Sequence, residues 1–171
     1  MPRMNAHDVK QRELAAIHEA GHAVAAVMRG GSTLTSVSLS DQHGEGITWS
    51  NSKPCDSGFG AYAGPWAEAR HLWGDRPLDA EDENGCAFGD VVMGVLWEQQ
   101  HGTDLDMWRR DAAEHARVCE LVGVSPAARD EVWDMELSRV WPAVQSVGAL
   151  LLAGETVTDV QVRALVEGVR A

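Results

Sequence analysis

Positive charge is scarce in this sequence: 14 lysines and arginines stand against 26 aspartates and glutamates, a formal net charge of −12. That balance argues against nucleic acid or an anionic membrane as the main partner, because both are held by basic surfaces. Cysteine is thin as well. Cys55, Cys86 and Cys119 form no CxxC pair and leave an odd thiol, so neither a disulfide framework nor a cysteine-built zinc site is expected. We read all three as partly buried small apolar residues in a reducing cytoplasm. No stretch approaches the length of a membrane helix, and the N-terminus has no signal-peptide apolar core, so a cytoplasmic chain without a membrane span is expected. No GxxxxGK[ST] phosphate loop occurs. Phenylalanine and tyrosine number only two and one, against seven tryptophans, so tryptophan is expected to supply the large core volume rather than a stacking platform.

Against these absences stands one dense motif. His18-Glu19-Ala20-Gly21-His22 spells HExxH inside a helical pattern. Residues i and i+4 share a helix face, so the two imidazoles converge on one point. Zinc accepts neutral imidazole nitrogens, and two of them leave room for a third protein ligand and a water. Glu19 can reach that water as its general base. Three fixed positions can arise by chance on any solvated helix, but here the flanks (Leu14, Ile17, Val24, Val27, Met28) make the segment a core element. Ala20 and Gly21 are small enough to let another backbone approach. Asn5 or Asp8 would cap the helix start, and Gly30-Gly31 would stop it.

The 171 residues suit one domain. After the helix (about 8–29) the period changes to alternation, and 35–50 reads as a small antiparallel sheet, Thr35 to Ser40 and Gly46 to Trp49, with Val37 and Leu39 facing one side. Residues 50–60 read as loop, and the remainder, 61–169, as helical. Helices are expected over Ala61 to Trp73, Phe88 to Gln99, Thr103 to Leu121 and Ser125 to Ala153, with an acidic loop over 74–85. Pro142 should kink or split the fourth of these near Trp141, and Thr158 should cap a last helix. The fold class expected is mainly α (α+β).

In this order the segments resemble a family. Ala16-Ile17-His18-Glu19-Ala20-Gly21-His22-Ala23-Val24-Ala25-Ala26 is similar to the zinc helix of the FtsH-type metallopeptidase domain. Val37-Ser38-Leu39 and Gly46-Ile47-Thr48-Trp49 resemble its strand pair, Ala63-Gly64-Pro65-Trp66-Ala67-Glu68 its small-residue helix, and Trp141 to Glu167 its C-terminal helices. The resemblance spans most of 10–170 and implies a helical zincin fold, bound Zn2+ and peptide-bond hydrolysis. Two departures stand out. The family's ATPase module has no counterpart here, and an insertion of about Gly74 to Gln100 follows the second helix. The resemblance also implies an aspartate at the start of a later helix as third ligand. Asp104 is preferred; Asp106 is the alternate, since GTxxD in Gly102-Thr103-Asp104-Leu105-Asp106 matches the aspzincin string. Asp90 is a weaker choice, and Glu68 reads as packed rather than ligating. Ala25 and Met28 exclude the metzincin pattern.

The expected activity is therefore a zinc endopeptidase, with His18, His22 and Asp104 as metal ligands and Glu19 as the catalytic base. It would act without ATP on flexible or unfolded polypeptide, with an edge strand near Gly46 to Trp49 receiving the substrate, unless a separate unfoldase delivers folded proteins. Two alternatives stay open: a regulatory protease specific for one partner, and a non-catalytic interaction module that keeps the fold. Self-association into a homo-oligomer is compatible with either. His43, His71, His101 and His115 lack paired spacing and read as surface residues. Tyr62 is a remote candidate for stabilising an oxyanion, set against its place in a packed helix.

Overall fold

The computed structural model describes residues 6–29, 32–40, 46–51, 53–98, 103–126 and 129–170. It is mainly helical, with one small sheet, as the pattern of periods implies. Helix α1 spans Ala6–Met28, and strands β1 (Thr33–Leu39) and β2 (Gly46–Asn51) follow. Helices α2 (Ser57–Trp73), α3 (Phe88–Glu98), α4 (Thr103–Val122), α5 (Arg129–Arg139) and α6 (Trp141–Leu152) come next, and then strand β3 (Val157–Thr158) and helix α7 (Asp159–Arg170). Among the described residues, no helix is long and apolar enough to cross a membrane.

Helix α1 is the axis of the molecule. Its N-terminal turns are exposed, but from Ala16 to Val27 residues on nearly every side are buried. A helix apolar all round has to be enclosed, and α1 packs against α2, α6, α7, β1 and β2. Asp8 lies inside the first turn rather than at the cap position, near the positive end of the helix dipole. Asn5 and Gly30-Gly31 lie outside the described residues.

The sheet has the order β2-β1-β3 and is antiparallel throughout. Val37 and Leu39 turn to the core side, as the alternation requires, with Val37 fully buried. Register shifts between Leu34 and Ser36, an irregularity that absorbs Thr35. Strand β3 was not expected. Val157 pairs with Val37 and Thr158 with Ser36, and two residues are too few to print a period. Thr158 still caps α7 as expected: its backbone N–H and its hydroxyl both donate to Gln161 Oε1, the reach-back half of a capping box.

Two boundaries differ from expectation. Helix α2 starts at Ser57, not near Ala61, after a 3-10 turn over Pro54–Asp56. Gly58 and Gly60 are poor helix formers, so its first turn is legible only once α4 packs against it. Pro142 splits the fourth expected helix near Trp141, as expected: α5 ends at Arg139, Val140 leaves helical geometry, and Pro142 sits in the first turn of α6, where a missing N–H costs nothing. Ser125 and Pro126 themselves are not helical.

Five of the seven tryptophans meet the expectation of core anchors. Trp66, Trp73 and Trp133 are buried, and Trp108 and Trp141 pack against the core. Edge-to-face contacts link Trp66 to Phe88 and Trp141, and Trp73 to Phe88, at 5.7–5.9 Å between centroids. Trp49 and Trp97 are exposed instead. The cysteines also depart from expectation: Cys119 is buried and Cys86 half-buried, but Cys55 is exposed because it lies on the outer 3-10 turn.

Candidate metal centre

Two buried helices and the first turn of a third converge here. His18 and His22 leave the same face of α1, one turn apart. Asp104 stands in the first turn of α4, which lies across α2. The two Nε2 atoms are 3.1 Å apart, and Asp104 Oδ2 lies 3.4 Å from that of His18 and 3.2 Å from that of His22. Among the described residues this is the one group of three metal-ligating side chains so closely gathered. An ion held tetrahedrally by bonds of about 2.0–2.1 Å needs ligand atoms about 3.3–3.4 Å apart, whereas octahedral geometry needs about 2.9 Å. The triangle is nearer the tetrahedral spacing. Its chemistry, two imidazoles and one carboxylate, suits zinc.

Each histidine is fixed from behind. His22 Nδ1 donates to the Gly60 carbonyl at 2.8 Å, and His18 Nδ1 meets Glu68 Oε2 at 3.2 Å. Partners of this kind set the tautomer and turn Nε2 toward the ligating position. Glu68 is therefore not simply packed, as its sequence context suggested, and it stands outside the group of three. Burial works against protonating His18, but the Asp104 and Glu68 carboxylates outweigh it and the pKa is pushed up to about 9. Burial works against ionising Asp104 too; the imidazoles of His22 and His18 outweigh it and hold the carboxyl well below the usual range.

Room beside the two Nε2 atoms is supplied by α2. A Cβ at Gly64 would lie 2.8 Å from His18 Nε2 and closer still to His22 Nε2. One turn away, Gly21 lets the two helices touch, since a Cβ there would overlap the Ala63 carbonyl. The small residues in the motif thus admit a neighbouring backbone, as their size implied.

A cleft of about 380 Å³ opens over the group, lined by His18, Glu19, His22 and Asp104 together with Gly46, Ile47 and Thr48 of β2. Glu19 is held on its strand side: Thr48 Oγ1 donates to Glu19 Oε2 at 2.5 Å. On the far side of β2 no strand pairs with it among the described residues, and Ile47 and Trp49 are exposed.

The remaining candidates fall elsewhere. Asp106 is exposed and outside the group, two positions along α4 and so on a different face. Asp90 accepts the Ala87 N–H at the start of α3. Tyr62 is buried, and its hydroxyl donates to Asp134 Oδ1 at 2.8 Å, away from the cleft. His71 pairs with Glu13 at 3.4 Å and His115 sits 3.6 Å from Cys119 Sγ, both half-buried. His43 and His101 lie outside the described residues. Thr48, Gly60 and Gly64 were missed; only the run of small residues around Gly64 carried any signal.

No model of a known protein family matches the chain, and no curated protein matches it. The likeness to the FtsH-type peptidase domain rests on the motif and the order of segments alone.

Proposed function

We propose that this protein is a zinc-dependent endopeptidase that hydrolyses flexible or unfolded polypeptide without ATP. The observation that carries the reading is the meeting of His18 Nε2, His22 Nε2 and Asp104 Oδ2 in a cleft that also holds Glu19. Those three residues would hold the ion, which when bound supplies a Lewis acid that polarises the scissile carbonyl and acidifies water. Glu19 takes a proton from the attacking water as the new C–O bond forms, and passes it to the nitrogen as the C–N bond breaks. Glu68 and Gly60 keep the imidazoles turned to their task. The outer edge of β2 can accept an extended segment through main-chain hydrogen bonds, a mode tolerant of sequence. A cleft of about 380 Å³ takes a few residues of strand, not a folded chain, so the substrate must be locally unfolded or handed over by a separate unfoldase. The exposed thiol of Cys55 suits a reducing, cytoplasmic setting.

The test uses purified protein and Glu19→Gln. Wild type should contain about one zinc per chain and cut an unfolded reporter such as casein. The variant should keep the zinc and lose at least about 100-fold in kcat, the scale of a general base. Zinc bound without cleavage of any unfolded chain by wild type would favour the one-partner protease or the interaction module. Absence of zinc after loading would overturn the metal centre.

A further inference from the structure

We propose that Thr48 is a positioning residue for Glu19, and that strand β2 thereby sets which carboxylate oxygen acts as the base. This rests on the peptidase reading above. Glu19 is a flexible side chain on a half-buried position, and left to itself it would sample several rotamers. Two features of β2 remove that freedom. The Thr48 hydroxyl donates to Oε2 at 2.5 Å and lies 3.3 Å from the Glu19 carbonyl oxygen. With one proton to give, it gives it to the nearer, charged acceptor.

At the other end of the side chain, Gly46 leaves the space that Cγ fills: any Cβ at Gly46 would overlap Glu19 Cγ and come 2.8 Å from its Cδ. The strand therefore grips the glutamate at its stem and at one oxygen. Threonine is suited to this, because a β-branched residue in a strand has few χ1 choices and keeps its hydroxyl where it is. Oε2 is engaged, so Oε1 is the oxygen left to take the proton. The same strand carries the edge proposed to receive substrate, so the chain that is cut and the base that helps cut it are registered to one backbone.

The experiment compares Thr48→Val, Thr48→Ser and Gly46→Ala with wild type, each loaded with zinc and checked for metal content and thermal unfolding. Misplacing a catalytic group by about 1 Å costs on the order of 100-fold. Thr48→Val should lose about 10- to 100-fold in kcat with KM within about twofold, and should keep about one zinc per chain. Thr48→Ser, which restores the hydroxyl, should recover to within about threefold of wild type. Gly46→Ala should lose kcat as Thr48→Val does. Crystal structures of the zinc-loaded forms should find the Glu19 carboxylate displaced in Thr48→Val and in place in Thr48→Ser. The inference is overturned if Thr48→Val keeps its kcat within about twofold, if Thr48→Ser is as impaired as Thr48→Val, or if Glu19 stays put in the Val variant. Failure of the peptidase reading looks different: wild type itself would bind no zinc or cut nothing, while the position of Glu19 in the Val variant would still decide whether Thr48 holds it.

Discussion

His18 is a base that the fold makes stronger. With its pKa pushed up to about 9, it keeps its proton through neutral pH in the metal-free chain. Zinc takes a neutral imidazole, so binding has to expel that proton. The sign follows: below about pH 9 the proton competes, and apparent zinc affinity should rise about tenfold per pH unit from pH 7 toward 9 and then level off. Asp104, ionised across this range, adds no slope of its own. Titration calorimetry at several pH values checks this, and a flat affinity from pH 7 to 8.5 would contradict it. At this scale the sequence was legible where chemistry is local. HExxH declares itself because both histidines and Glu19 lie on one turn of one helix; Asp104 was reached only through the resemblance, with Asp106 as its alternate, because a carboxylate far along the chain carries no local mark of the site. Thr48 was not legible: a threonine in a strand carries no mark of its partner until the strand is set against α1.

Between elements, the site depends on how closely α1 and α2 approach, and two glycines govern that for different reasons. Gly64→Ala would be worth about 0.5–1 kcal/mol to helix α2 in isolation, yet its Cβ would press on both Nε2 atoms. It should fold and lose most of its zinc. Gly21→Ala would instead drive a Cβ into the Ala63 carbonyl and part the helices, costing about 1–3 kcal/mol of stability. Denaturant melts and metal analysis on the two variants separate these outcomes; full zinc in Gly64→Ala would mean that α2 shifts freely. Elements with a clear period, such as α1, β1, α3 and α4, were readable from the chain. Pro142 gave away the break between α5 and α6. The start of α2 and the whole of β3 were not, because glycine hides the first and two residues are too few for the second; tertiary contact makes both.

Taken whole, the molecule holds its candidate ligands on α1 and α4, with α2 between them and the sheet closing the cleft, all on one hydrophobic cluster. An unfolded chain has no such arrangement, so zinc should bind the native state alone. Free zinc at 100 times its Kd would add about 2.7 kcal/mol. For a protein of this size that is a rise of about 5–10 °C in Tm, read by differential scanning calorimetry. His22→Ala should gain nothing, and an equal rise in that variant would place the ion elsewhere. The distance along the chain between the parts of the site has a further consequence, which concerns time. His22 leaves the ribosome some eighty residues before Asp104. At translation rates of roughly 5–20 residues per second, several seconds pass between the synthesis of the HExxH segment and that of Asp104. On the peptidase reading, synthesis would work as a safety catch: a half-made chain could not attack itself or its nascent neighbours, which are the kind of unfolded polypeptide proposed as substrate.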